Sequence, residues 1–405
     1  MIEQIYSKSN LILAFYRVKK NKGCAGIDKT SIEQYGNNLE RNVLELHRLL
    51  KEGTYQPLPV KRTYIPKPNG KQRPLGIPAV KDRVVQQAML QVLQPLFEPL
   101  FSDASYGFRP NRNPIQAVRK VQEYLEQGYE YIVDADIEDF FGTISHRTLM
   151  NKIRETVKDR AIARLIWKFL KAGIMEEGKI RYQTTGTPQG GIISPLLANL
   201  YLNSFDHKID NAGWKLVRYA DDWVILASSV NQAIHALKTA RSILKKLKLT
   251  LSAEKTRISE HSIGFDFLGY HFQRHYGGNY KWPSNKSIQA FKDKIRHRTR
   301  RQQPRNIAQI IPMTNPLIRG WGHYFKYGNV KNRFKELDGW IRMRLRSFIE
   351  KKKWSQNWKY PNDHFNKLGL VSLTELATKH EQLFFPTFGQ PYRRAVCGKS
   401  ARTVR

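Results

Sequence analysis

Cysteine is nearly absent from this chain, with Cys24 and Cys397 the only two in 405 residues. That shortage excludes a disulfide-stapled secreted fold and a Cys-x-x-Cys zinc module, and both thiols are expected to be inert. Histidine is scattered, without the H-E-x-x-H or His-Asn-His clustering of a metal-dependent hydrolase or nuclease. No run of about 18 apolar residues occurs, and Met1-Ile2-Glu3-Gln4-Ile5 lacks the basic-then-apolar order of a secretion signal. An intracellular, cytoplasmic location with no membrane partner is therefore expected. The shortage of acidic residues says most. Against 69 Lys plus Arg stand 34 Asp plus Glu, a net charge of +35. Such a chain repels itself unless a polyanion is its usual partner. Its basic segments are interleaved with aromatics along the whole length instead of gathered into one amphipathic anchor, so nucleic acid fits better than a membrane surface.

What is present is enough to fold: 40% hydrophobic and 11% aromatic residues. A chain of this length predicts about two to four domains. Residues 1–55 carry apolar side chains at helical spacing, among them Leu11, Phe15, Val18, Val43, Leu46 and Leu50. The Pro-rich, basic stretch 56–80 predicts a hairpin turning at Asn69-Gly70. Helices are predicted over 82–96, 145–157, 161–172, 195–211 and 232–247, a strand over 131–137, and a strand pair around 256–272, which is an α+β pattern. Beyond Trp282 the character changes. Residues 281–305 hold nine Lys or Arg against one Asp, and 288–348 read as helices without a strand pattern, so a separate basic helical domain is expected. The last 45 or so residues have no clear period and end in the basic tail 393–405.

Tyr219-Ala220-Asp221-Asp222 puts two carboxylates between two apolar runs, 214–218 and 223–227. This pattern predicts a hairpin with the Asp pair exposed at its tip. A solvated turn is one reading; a Mg²⁺ site is the other, because that ion takes hard oxygen ligands and keeps positions open for phosphates. A two-metal site needs a further carboxylate on a neighbouring element. The stretch 131–139 offers it: Asp134 and Asp136 follow a strand-like lead-in, point to the same face, and can meet the hairpin across a sheet.

Asp136-Ile137-Glu138-Asp139-Phe140-Phe141, Gly186-Thr187-Pro188-Gln189-Gly190-Gly191 with Ser194-Pro195, and Tyr219-Ala220-Asp221-Asp222 follow the order of motifs A, B and C of reverse transcriptases. Ile65-Pro66-Lys67 continuing through Arg73 to Pro78, Ser105-Tyr106-Gly107-Phe108-Arg109-Pro110 and Asn315-Pro316-Leu317-Ile318-Arg319-Gly320-Trp321 narrow the likeness. Over about residues 10–350 the chain resembles group II intron-encoded reverse transcriptase/maturases.

The resemblance implies a right-hand polymerase with fingers, a ferredoxin-like palm and a helical thumb. An N-terminal extension and fingers would occupy 1–80, the remaining fingers and palm 81–285, the thumb or maturase domain X 286–355, and a basic tail 356–405, a candidate DNA-binding appendage. Asp136 and Asp221 would hold two Mg²⁺ ions, supported by Asp222. Lys67 and Arg73 would pair with the dNTP triphosphate, Gln189 would face nucleotide and template, and Phe141 would exclude a ribose 2′-hydroxyl. Lys255 would be the general acid for pyrophosphate, and 265–270 the primer grip. Implied partners are intron RNA, an RNA template with a DNA primer, a DNA target and dNTPs. The expected function is RNA-directed DNA synthesis coupled to splicing and mobility of the parent intron. A domesticated or defence-associated reverse transcriptase and a non-catalytic RNA-splicing chaperone are the alternatives. The family's endonuclease, marked by His and Cys pairs after the thumb, is expected to be lacking, and Gly142 stands where family members often carry Asp, which puts the local loop geometry in question.

Overall fold

Apolar residues three and four apart make the beginning of the chain helical: α1 (Ile2–Tyr6), α2 (Lys8–Lys20), α3 (Ile32–Asn37) and α4 (Leu39–Lys51). Ser7 caps α2, and Ser31 with Gln34 forms a complete capping box on α3. The structure is a computed structural model that describes residues 1–66, 70, 72–187, 190–351 and 360–384. It divides into two units, residues 1–117 with 133–258, and residues 118–132 with 259–405.

In the first unit, β1 (Val60–Pro66) and β2 (Gln72–Ile77) form the expected hairpin. Pro66 pairs with Gln72, and the Asn69 at which the turn was expected lies outside the described residues. The helix α5 (Val80–Phe97) buries Val84, Val85, Ala88, Met89 and Leu93, and also Asp82, Arg83, Gln86 and Gln87. It packs on α1, α2, α3 and α4, which explains why it is covered on more than the one face its spacing indicated. Helix α6 (Pro114–Glu126), most of which belongs to the second unit, leads to β3 (Tyr131–Asp136), α7 (Phe140–Thr143), α8 (His146–Thr156), α9 (Arg160–Lys171), β4 (Ile174–Glu176) and β5 (Lys179–Arg181). Then follow α10 (Ser194–Asn211), β6 (Lys215–Tyr219), β7 (Asp222–Ala227), α11 (Val230–Lys246) and β8 (Arg257–Glu260).

One sheet has the order β2-β1-β4-β5, and the other β6-β7-β3-β8. With helices between β3 and β6 and between β7 and β8, the second is a ferredoxin-like, split βαβ sheet. Helices α10 and α11 pack on it and on each other, and the core beneath them includes Phe205 and Trp223, whose ring centroids lie 5.3 Å apart.

The second unit holds a meander, β9 (Phe265–Phe267), β10 (Tyr270–His275) and β11 (Gly278–Pro283), followed by α12 (Asn285–Arg298), α13 (Ile307–Phe325), α14 (Lys331–Glu350), α15 (Asn362–Lys367) and α16 (Leu373–Phe384). Two polar hubs join the last segment to the helices before it. Asn315 on α13 donates from Nδ2 to the Gly369 carbonyl at 2.8 Å and accepts the Val371 N–H at 3.0 Å. Asp338 on α14, 4% exposed, accepts from Ser372 Oγ, the Leu373 and Thr374 N–H groups, and Thr374 Oγ1, all at 2.8–3.0 Å. Residues 362–384, read from sequence as part of an aperiodic tail, thus include the helices α15 and α16, and α16 packs on α13 and α14. Among the described residues no helix is long and apolar enough to cross a membrane.

Candidate active site

The hairpin pairs Tyr219 with Asp222, leaving Ala220 and Asp221 as a two-residue turn. Ala220 takes φ +61°, a left-handed conformation that costs a non-glycine residue about 1–2 kcal/mol, so the turn needs an anchor. Arg218 supplies it. Its side chain is 1% exposed, and all five guanidinium hydrogens are used. Nε and Nη2 reach the two oxygens of the fully buried Asp206 at 2.7 and 2.5 Å. Nη1 donates to Asn199 Oδ1 at 3.1 Å and to the Ala220 carbonyl at 2.8 Å, and Nη2 donates to Ser105 Oγ at 2.8 Å. The carboxylate-bearing turn is therefore held from beneath by a saturated buried ion pair. Arg218, Asp206 and Asn199 were not singled out from the sequence, where a cation in 214–227 and an Asp in the apolar part of α10 were the available signals.

Strand β3 lies beside β7, which brings Asp134 and Asp136 next to the hairpin. Asp221 and Asp222 are half-buried, not exposed at a tip as the sequence reading had them. Burial, with the negative charge of Asp134, Asp221 and Asp136, pushes the Asp222 carboxyl up to about 7. Lys255 opposes this rise. Its Nζ bonds to Asp136, a bond that raises the lysine's own pKa. The backbone explains the meeting: Glu138 N–H donates to Thr250 O at 2.9 Å, Ser252 N–H to Asp136 O at 2.9 Å, and Ile137 bridges Leu251, so 250–252 run beside the end of β3 and the next turn delivers Lys255. Arg257 reaches Asp134 Oδ2 from Nε at 3.0 Å and from Nη2 at 2.9 Å.

Among the described residues no group of three or more His, Cys, Asp or Glu side chains is drawn close enough together to hold a metal ion by itself. The donor set nevertheless fits Mg²⁺. Asp136, Asp221 and Asp222 offer hard oxygens, and the Asp222 carboxyl, pushed up to about 7 by burial and then by the negative charge of its neighbours, sits where a cation would be favoured.

Phe141 follows on α7, half-buried, with its ring centroid 5.3 Å from that of Phe140 in an edge-on arrangement. The question raised by Gly142 has a local answer. A Cβ added at Gly142 would collide with the carboxylate of Asp139, whose backbone is left-handed at φ +39°. The side chain of Asp139 thus fills the space beside Gly142. Arg73 pairs with Ile65 through its backbone, while its side chain, Lys67 and Gln189 lie outside the described residues.

Comparison with known proteins gives this geometry a family. Residues 65–272 match the model of reverse transcriptase (RNA-dependent DNA polymerase), about half of the chain, and residues 288–367 match the group II intron, maturase-specific domain. The chain belongs to the reverse transcriptase family. Protein YkfC of Escherichia coli is 37% identical over 294 residues, 62% of this chain and 76% of that protein. Group II intron-encoded protein LtrA of Lactococcus lactis is 32% identical over 337 residues, 66% of this chain and 56% of that one. The chain thus spans little more than half the length of LtrA. Among solved structures, the partial Cas6-RT-Cas1–Cas2 complex matches 60% of this chain and 41% of its own at 27% identity, with a TM-score of 0.38.

This reverse transcriptase also carries a basic concavity that sequence reading did not locate. Helices α8 and α9 and the turn between them line a space of about 830 Å³ with Arg147, Arg154, Lys158, Arg160, Arg164 and Trp167. None of the five cations has an ion-pair partner among the described residues, and Trp167 is 39% exposed.

Proposed function

We propose that this chain is an active RNA-directed DNA polymerase that binds its parent group II intron RNA, assists its splicing and copies it during mobility. The observation that carries the reading is the gathering of Asp134, Asp136, Asp221 and Asp222 in a chain of net charge +35, with Asp222 held up to about 7 by burial and by the repulsion of the other three. A structural turn has no use for such repulsion, whereas divalent cations offset it. Asp136, Asp221 and Asp222 would hold two Mg²⁺ ions, which when bound would lower the pKa of the primer 3′-hydroxyl and neutralise charge on the departing pyrophosphate.

The chain's own residues do the rest. Lys255 rests on Asp136, so its Nζ lies at the carboxylate cluster as an ammonium able to give a proton to the leaving group. Phe141, five residues on from Asp136, would stand against the sugar and exclude a 2′-hydroxyl. Lys67 and Arg73 would neutralise the triphosphate, and Gln189 would contact the incoming nucleotide. RNA template, DNA primer and DNA target are the nucleic acids this chemistry requires. For the intron RNA, the unpaired cations of α8 and α9 and the basic helices from α12 onward supply phosphate contacts.

Splicing separates RNA binding from chemistry. Group II intron RNA transcribed from the protein's own locus, assayed at Mg²⁺ too low for self-splicing, is expected to splice with the wild type and with Asp221→Ala alike. Failure of both proteins to promote splicing contradicts the maturase part of the reading.

A further inference from the structure

The turn after the first catalytic carboxylate and the glycine-rich loop of motif B are laced together, and one buried side chain belongs to the lacing. Gly186 N–H donates to the Ile144 carbonyl at 2.7 Å, Thr187 N–H donates to the Phe141 carbonyl at 2.8 Å, and Ser145 bridges Thr185 in antiparallel sense. Residues 185–187 therefore run beside 141–145. The approach is close: Gly186 has φ +88°, and a Cβ there would stand 3.0 Å from the Gly142 carbonyl and 3.1 Å from that of Phe141. The Gly186 carbonyl is taken by His146 Nε2 at 2.6 Å. A carbonyl oxygen only accepts, so Nε2 carries the proton. Nδ1 is then a bare acceptor, buried and without a partner.

His146 is 2% exposed, sits at the first turn of α8 behind the Ser145 cap, and meets the ring of Trp167 edge-on at 6.0 Å between centroids. Neither ring nitrogen faces the carboxylate cluster through any hydrogen bond among the described residues. Burial, with Lys171 nearby, keeps the imidazole below its ordinary pKa and so neutral at pH 7. A buried imidazole with one nitrogen unsatisfied costs stability, and an apolar ring of similar size would pack there without that cost. What His146 provides that such a ring cannot is the bond to Gly186, three residues before Gln189 and directly across from the backbone of Phe141.

We propose that His146 is a positioning residue for nucleotide selection: its Nε2–H fixes Gly186, at the start of motif B, against the Phe141 turn, so that the sugar-facing ring keeps one register. This inference rests on the polymerase reading of the same site. It assigns His146 no proton transfer and no contact with the reacting atoms.

The test compares His146→Leu, which removes the donor, with His146→Gln, whose Nε2 can replace it, in the full chain. Extension of oligo(dT) on poly(rA) gives KM and kcat for dTTP and the preference for dTTP over rUTP. His146→Leu is expected to raise KM about tenfold with kcat within a few-fold of wild type, and to erode the sugar preference several-fold. His146→Gln is expected to restore both to within a few-fold. A second readout does not require activity. Hydrogen exchange at the amides of Gly186 and Thr187 should quicken in His146→Leu and return to the wild-type rate in His146→Gln. Unchanged exchange, a loss confined to kcat, or a glutamine variant as defective as the leucine one each overturns the proposal. Absence of extension by the wild type counts against the polymerase reading instead, and the exchange comparison still decides whether the tether exists.

Discussion

At the scale of single residues, the stability of the candidate site rests on Arg218 and Asp206 more than on the carboxylates that would do the chemistry. A buried ion pair broken on one side leaves an unpaired charge in the core, at a cost of about 3–5 kcal/mol, whereas an exposed pair is worth up to about 1 kcal/mol. Asp206→Ala should therefore lower unfolding stability in urea by about 3–5 kcal/mol and abolish primer extension, while Lys120→Ala, which removes an exposed pair with Glu123, should shift the urea midpoint little. Equal effects of the two substitutions contradict the role given to Arg218. Motif residues were legible because their spacing is chemical: Asp136, Asp221 and Asp222 come together as their strand and hairpin assignments required. Arg218 was not legible, because a cation in a strand ordinarily signals a solvated face and its partner Asp206 lies on another element. Asp139 was missed for a related reason, since only its left-handed backbone turns its carboxylate into the space beside Gly142.

At the scale of elements, sequence periodicity found α5, α8, α9, α10 and α11 and the strands β3, β6 and β7 within a few residues, because each buries one continuous face, but it did not single out α6. It missed β11, whose Gly278-Asn279-Tyr280-Lys281-Trp282-Pro283 lacks alternation and owes its extended form to pairing with β10. It missed α15 and α16 as well, which are short and gain their place from the Asn315 and Asp338 hubs. One loop carries a pH consequence. His261, between β8 and β9, is 1% exposed, both ring nitrogens lack partners among the described residues, and its backbone N–H donates to the Glu130 carbonyl at 2.8 Å. Burial, with Arg274 and His271 nearby and Glu130 opposing, lowers its pKa to about 4. The unfolded chain takes up this proton below about 6.5, but the folded one does so only near 4. The stabilisation is thus complete above about pH 6.5 and lost as pH falls to 4, a change on the order of 3 kcal/mol. Urea unfolding followed from pH 7 to 4 should be flatter in His261→Leu than in wild type; parallel curves would exclude His261 as the source.

At the scale of the whole molecule, the excess of positive charge was the plainest message of the composition, yet composition does not say where it converges. The structure gathers part of it on α8, α9 and the turn between them, where Arg147, Arg154, Lys158, Arg160 and Arg164 surround one concavity with Trp167 in its wall. Each phosphate contact contributes roughly 0.7–0.9 to the slope of log affinity against log salt. Arg154→Glu with Arg164→Glu should weaken binding to intron RNA and make that slope shallower by about one to two, with thermal stability unchanged. An unaltered slope would mean that the RNA lies elsewhere. The central claim is that the Asp136, Asp221 and Asp222 cluster performs RNA-directed DNA synthesis. Its most direct measurement is extension of a DNA primer on an RNA template with dNTPs and Mg²⁺, wild type beside Asp221→Ala. The account predicts template-dependent product with the wild type and none above background with Asp221→Ala; equal extension by both, or by neither, would contradict it.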